Sequence, residues 1–252
     1  MRLVLKFGGS SLSPAELASL NSELKKLQQA GHQAVLVHGG GPELSRLLAT
    51  MGHEARWEDG LRVTDQVTME AAEMVLAGKI NTSLVSLLRG CRALGLSGVD
   101  GALLECSRVS EKLGQVGQVE RVNVALLELL LGAGYLPVIA PIGLGPEGER
   151  LNLNADTAAG AVARALKAER ILFLTDVPGV MKDGAVLKEL TDQEADALIA
   201  NGAATGGMIP KLRSCQEAAR SGVPAQILRA GASLLEGLAG REGTLITGGA
   251  PC

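Results

Sequence analysis

A chain of 252 residues that is 46% hydrophobic and carries a formal charge of −3 can bury a substantial core in one large domain or two modest lobes. It has no run of basic residues of the kind that nucleic acid or an anionic membrane surface calls for, which leaves small molecules as the default partner. Its cysteines, Cys91, Cys106, Cys215 and Cys252, stand far apart with three histidines for company, a spacing that indicates neither a zinc site nor a disulfide framework and fits a reducing cytoplasm.

The first apolar run, RLVLKF at 2–7, is interrupted by Lys6 too early to be a signal-peptide core and reads as a buried strand. Gly8 and Gly9 follow it directly. Glycines there let backbone N–H groups approach a ligand, with Lys6 where strand meets turn. From these residues alone, a strand-end lysine reaching water beside an ordinary turn reads equally well. After a helical stretch at 14–29, QAVLV repeats the pattern: a strand runs into HGGGP at 38–42, and a helix continues over 43–51 with Pro42 near its first turn. In an open parallel sheet, two such strand ends meet at the carboxyl edge and offer N–H groups and a helix N-terminus to an anion. His38 reads as a structural residue beside the glycines.

Residues 52–66, GHEARWEDGLRVTDQ, and residues 99–122 show polar alternation and turns, and read as hairpin or lid segments that carry ligand contacts. Between them, Met69, Ala72, Val75, Leu76, Ile80, Leu84 and Leu87 recur at helical spacing over 68–88, for core packing or subunit contact. Residues 129–146 are uncharged, but Gly132, Gly134, Pro137 and Pro141 divide them into helix end, turn, strand and turn, not a membrane span. GLGPEG at 143–148 matches G-x-G-x-x-G without opening a helix, and no Walker loop occurs, so this stretch reads as a turn.

The segment RLNLNADTAAGAVARAL at 150–166 passes from alternation into a helix that either Asn154 or Asp156 can cap, which explains one of its clustered polar residues but not all of them. ILFLTDVPGVM at 171–181 is a strand entering a Thr-Asp and Pro-Gly turn. ATGGMIPKLRSCQEAAR at 204–220 sets Lys211 in the first turn of a helix over 208–220, an unfavourable end for a cation unless an anion is bound nearby. AQILR, SLLEGL and GTLIT complete the alternation, which predicts an α/β fold with a mainly parallel sheet covered on both faces. We place a lobe boundary near residue 168.

Taken together, LKFGGSSL, VHGGGP, GLRVTD, NLNADTAAG, LTDVPGV and GGMIPK resemble the amino acid kinase family, in order and over essentially the whole chain. GLRVTD with NLNAD is most similar to members whose acceptor is N-acetyl-L-glutamate. The resemblance implies an open αβα sandwich of carbamate kinase-like fold. Residues 1–168 would form an N-terminal lobe that binds the acceptor and dimerises through 68–88, and residues 169–252 a C-terminal lobe that binds ATP with Mg²⁺ held through the nucleotide. The implied protein is a cytoplasmic homodimer of arginine biosynthesis that phosphorylates a γ-carboxylate.

By matching motif, Lys6 and Lys211 would stabilise the moving phosphoryl group, and Asp156 between them would hold both ammonium groups. Gly8, Gly9, Gly40 and Gly41 would supply backbone donors. Arg62 would clamp the acceptor's α-carboxylate and Asn152 would contact its amide. Thr175, Asp176, Val177, Pro178, Gly179, Val180 and Met181, with Ala203, Ala204, Thr205 and Met208, would line the nucleotide pocket. Val99 stands in GLSGVDG where many relatives have lysine, and it receives no role. Arginine-inhibited hexameric members add a helix before the first strand, so a dimer without arginine feedback is expected. Two other readings stay open: a kinase for a carrier-linked aminoadipate or glutamate substrate of lysine biosynthesis, and a non-catalytic nucleotide or amino-acid sensor.

Overall fold

The computed structural model describes residues 1–8, 14–182, 184–204 and 208–248. Of the expected site residues, Gly9 and Thr205 lie outside this range. The chain alternates strands and helices: β1 (Arg2–Phe7), α1 (Pro14–Gln29), β2 (Gln33–His38), α2 (Gly41–Thr50), β3 (Trp57–Glu58), β4 (Leu61–Arg62), α3 (Gln66–Ala72), α4 (Asn81–Leu87), β5 (Ala93–Ser97), β6 (Leu104–Arg108) and β7 (Val116–Val122). It continues through α5 (Val124–Gly132), β8 (Leu136–Ala140), β9 (Ile142–Leu144), β10 (Arg150–Leu153), α6 (Ala155–Ala165), β11 (Arg170–Thr175), β12 (Met181–Lys182), β13 (Ala185–Val186) and β14 (Glu189–Thr191). Last come α7 (Asp192–Ala200), α8 (Met208–Arg220), β15 (Ala225–Arg229), α9 (Leu234–Leu238) and β16 (Thr244–Thr247).

An eight-stranded sheet in the order β14-β16-β15-β11-β1-β2-β8-β5 forms the centre. From β15 to β5 every neighbouring pair is parallel, while β16 is antiparallel to β15 and carries β14 with it. β10, β7, β6 and β9 close into a small barrel beside the sheet, so the segment expected as a hairpin at 99–122 is half of that barrel. Among the described residues, no helix is long and apolar enough to cross a membrane.

Strand alternation divides the core into two layers, one on each face. Val4, Val35, Val37, Ile139, Ile171 and Phe173 pack with α5, α6, α7 and α8 on one side. Leu3, Leu5, Phe7, Leu36, Val138 and Leu172 pack with α1, α2, α3, α4 and α9 on the other. Strands buried on both faces are near-continuously apolar, as RLVLKF and RILFLT are. Each fully buried leucine of this kind contributes about 2 kcal/mol.

The expected helix at 68–88 is present but not uniform: between α3 and α4, Glu73–Ile80 opens into a π-helical segment. Its ends are tied to the body by Arg150, whose Nε lies 2.6 Å from Glu73 Oε1, and by an ion pair from Lys79 to Glu43 of α2. Such widened turns occur frequently at functional sites.

Candidate active site

Alternation along β1 puts Lys6 on the same face as Val4, the face that α6 covers. Asn154, not Asp156, is the N-cap of α6: its Oδ1 accepts from Asp156 N at 2.8 Å and Thr157 N at 3.2 Å. The carboxylate of Asp156 is thereby left for Lys6, whose Nζ lies 2.8 Å from Oδ1. Among the described residues that buried oxygen accepts no well-directed hydrogen bond, so the ammonium is its compensation.

The pair borders a cavity of about 260 Å³ at the carboxyl edge of the sheet, lined also by Gly39, Gly40, Gly41, Trp57, Arg62, Leu76 and Asn152. Gly8 and Gly39 abut: a Cβ on Gly8 would come 2.9 Å from Gly39 N. At Gly40 it would meet Ile80 Cδ1 at 2.3 Å and Leu76 Cδ2 at 2.6 Å, whereas at Gly41 it would meet nothing within 4 Å. Bare backbone is therefore a packing requirement at Gly8 and Gly40, and at Gly41 it is not.

Arg62 closes the far wall. Its Nη2 donates to Gly41 O at 3.2 Å and Ser45 Oγ at 2.7 Å, while Nη1 is buried without a partner among the described residues. The side chain is 6% exposed. Burial pushes its pKa down, yet a guanidinium keeps its charge at neutral pH. Asn152 Nδ2 donates to Thr64 Oγ1 at 3.1 Å, and that hydroxyl donates to Arg62 O at 2.9 Å, so Asn152 and Arg62 are braced through one threonine.

A second group gathers at the end of β11 and the start of α8. Thr175 Oγ1 donates to Asp176 Oδ1 at 2.8 Å, a bond that, with Lys211 nearby, holds the Asp176 carboxyl below the usual range. Lys211 Nζ lies 3.8 Å from the same oxygen. Lys211 thus meets Asp176, while Asp156 meets Lys6. In the turn that follows, Val180 N donates to Thr244 Oγ1 at 2.8 Å, and a Cβ on Gly179 would strike that hydroxyl at 2.6 Å. The Val180 side chain is buried in the core and its carbonyl accepts from Leu187 N at 2.9 Å, while Val177 is half-buried and Pro178 and Met181 are exposed. Ala203 is exposed, Ala204 buried and Met208 half-buried at the entry to α8.

His38 is structural: Nδ1 donates to Gly39 O at 2.9 Å, Nε2 accepts from Asn81 Nδ2 at 3.1 Å, and burial lowers its pKa to about 4. Cys215, fully buried on α8 and near enough to Asp156 and Lys6 to feel both charges, has its thiol pKa raised by burial and stays a neutral packing group.

The cavity therefore unites Lys6, Gly40, Gly41, Arg62, Asn152 and Asp156, with Gly8 against its edge. Sequence reasoning missed Trp57, Ser45 and Thr64. Ser45 carried no signal, but Trp57 did: Asp59 and Gly60 both take positive φ, 51° and 78°, as the Asp-Gly of a two-residue hairpin requires, and that turn sets Trp57 opposite Arg62.

The model of the "Amino acid kinase family" matches residues 1–229. A curated protein named acetylglutamate kinase from Geobacillus stearothermophilus is 45% identical over 235 residues, covering 91% of this chain and 90% of its own. A crystal structure of smu.665 from Streptococcus mutans UA159 is 33% identical, covers 98% of both chains and superposes with a TM-score of 0.83. Carbamate kinase from Giardia, 16% identical, shares the fold over 98% of this chain and 99% of its own with a TM-score of 0.74.

Proposed function

The chain belongs to the amino acid kinase family, and from that premise we propose that it transfers the γ-phosphoryl group of ATP to the γ-carboxylate of N-acetyl-L-glutamate, forming the acyl phosphate of arginine biosynthesis. One acceptor oxygen forms a bond to the γ-phosphorus while the bond from that phosphorus to the β,γ-bridging oxygen breaks, and ADP leaves with the electron pair. The carboxylate is already ionised at pH 7, so the step calls for no general base, in keeping with a buried, neutral His38.

What the step does need is cancellation of like charge. Two unit negative charges 4 Å apart repel by roughly 4 kcal/mol at an effective dielectric of about 20. Phosphoryl transfer asks the protein for alignment and charge stabilisation above all. Lys6 at the cavity edge and Lys211 beside the β11 turn would supply it, with Gly8, Gly40 and Gly41 lending backbone donors and Arg62 and Asn152 holding the acceptor. In this reading Thr175–Met181, with Ala203, Ala204, Thr205 and Met208, hold the nucleotide. Mg²⁺ would arrive on its phosphates; among the described residues no trio of His, Cys, Asp or Glu gathers to hold a metal. The reading extends to a cytoplasmic homodimer joined through 68–88, with residues 1–168 as acceptor lobe and 169–252 as nucleotide lobe.

The observation that carries the proposal is the pairing of Lys6 with Asp156 across one cavity from a buried arginine with a free Nη1. The test is ADP release with Mg-ATP and N-acetyl-L-glutamate, beside glutamate, aspartate, UMP and free N-acetylaminoadipate, with hydroxylamine to trap acyl phosphate. Turnover with N-acetylglutamate and accumulation of hydroxamate is the expected result. ATP binding without turnover of any free acceptor would overturn it in favour of a carrier-linked acceptor or a sensor.

A further inference from the structure

Arg62 is more constrained than an anion-binding arginine on a flexible stem. Among the described residues, Nη2 of its guanidinium reaches Gly41 O and Ser45 Oγ, and Cζ lies over the indole ring of Trp57, 4.4 Å from the centroid. Among the described residues, the buried nitrogen of the Arg62 guanidinium left without a partner is Nη1, in a residue 6% exposed that lines the cavity.

The stack follows from the local sequence. The Asp59-Gly60 turn sets the register, and that register makes Trp57 and Arg62 a directly opposed pair. Trp57 itself is 58% exposed and buries too little surface to serve as a core residue. A large exposed ring against an almost wholly buried cation is placed to orient that cation, since a guanidinium over an indole face is held electrostatically as well as sterically.

We propose that Trp57 is a positioning residue for acceptor binding, aiming Arg62 Nη1 at the carboxylate of an acidic N-acylated amino acid. The proposal rests on the functional reading above. Trp57 does not touch the reacting atoms; it acts through Arg62, and therefore on capture of the acceptor more than on the chemical step or on the nucleotide. Trp57 is also the only tryptophan in the chain, so its emission reports this cavity alone.

The experiment compares wild type with Trp57→Phe and Trp57→Leu in steady-state kinetics and follows wild-type emission during titration with N-acetyl-L-glutamate without nucleotide. Trp57→Leu is expected to raise KM for the acceptor about five- to tenfold, with kcat within about threefold and KM for ATP unchanged. Trp57→Phe, which keeps a ring face, should recover most of that loss, and wild-type emission should shift saturably with the acceptor. An acceptor KM within twofold of wild type in Trp57→Leu, or a loss confined to kcat, overturns the proposal, as does emission unmoved by any carboxylate. Titrations with N-acetyl-L-aspartate and L-glutamate separate the two readings. A saturable response to either, in a wild type that does not phosphorylate N-acetylglutamate, keeps the stack and sinks the acceptor.

Discussion

Lys6 and Lys211 are two cations set at places that folding alone does not favour, one at the edge of a cavity and one at the positive end of α8. Removing one preorganised donor commonly costs about 3 to 4 kcal/mol of transition-state stabilisation. Lys6→Ala or Lys211→Ala should therefore keep the circular-dichroism spectrum of the wild type and lose at least about a hundredfold in kcat; turnover within threefold of wild type would remove that lysine from the mechanism. His38 gives a prediction of a different kind. Its folded pKa, about 4, lies below the ordinary value of 6.5, so between those pH values the unfolded chain binds the extra proton and the native one does not. Stability contributed by neutral His38 is fully present above about pH 6.5 and is lost as pH falls towards 4, by roughly 3 kcal/mol over the window. Urea unfolding midpoints at pH 7 and pH 4.5 should show the decline, and His38→Asn should flatten this part of it.

At the scale of elements, the glycine turn after β2 and the π-helical segment before α4 are one packing unit, because Leu76 and Ile80 fill the space that a side chain on Gly40 would need. Gly40→Ala should overpack this contact, lower stability by about 1–3 kcal/mol and raise the acceptor KM, whereas Gly41→Ala, facing open space, should melt within a degree or two of wild type; equal melting temperatures for the two variants would contradict the assignment. How far these elements were legible varies with the kind of signal. Helices α1 and α8 begin and end where the apolar period and their flanking glycines say. The widening at Glu73–Ile80 leaves no mark in the sequence pattern, because buried Leu76, Ile80 and Leu84 keep the four-residue step of an ordinary helix across it. β5 was missed because ALGLS, half-covered at the sheet edge, has no buried run to announce it. The reversed direction of β16 leaves no local trace at all. Within the site, Lys6, Arg62, Asn152 and Asp156 were readable from motif; the cap by Asn154 is local but left Asp156 as an equal candidate until Lys6 is seen to take that carboxylate, and the brace through Thr64 depends on a contact across 88 residues of chain.

At the scale of the molecule, the run from α3 to α4 covers one face of the sheet and still exposes large apolar side chains: Val67 at 40%, Met74 at 61% and Leu87 at 44%. Apolar exposure along a structured surface of this kind marks an interaction site, and the proposed one is a second copy of the chain. Light scattering should report a dimer for the wild type and a monomer for Met74→Glu; a wild-type monomer or hexamer would contradict the assignment. The strand order has a consequence for how local stability is distributed. β1 has partners on both sides, β11 and β2, so the backbone bearing Lys6 opens only when the sheet itself opens. Arg62 sits instead on a hairpin of two-residue strands, bonded beyond its base by Thr64 N to Leu113 O and Gln115 N to Thr64 O. In hydrogen-exchange terms the two walls of one cavity should therefore fall at opposite ends of the protection scale. In the proposed mechanism, the charge that steadies the reaction would stand on ground that does not yield, and the grip on the acceptor would loosen and re-form while the rest of the protein stays folded.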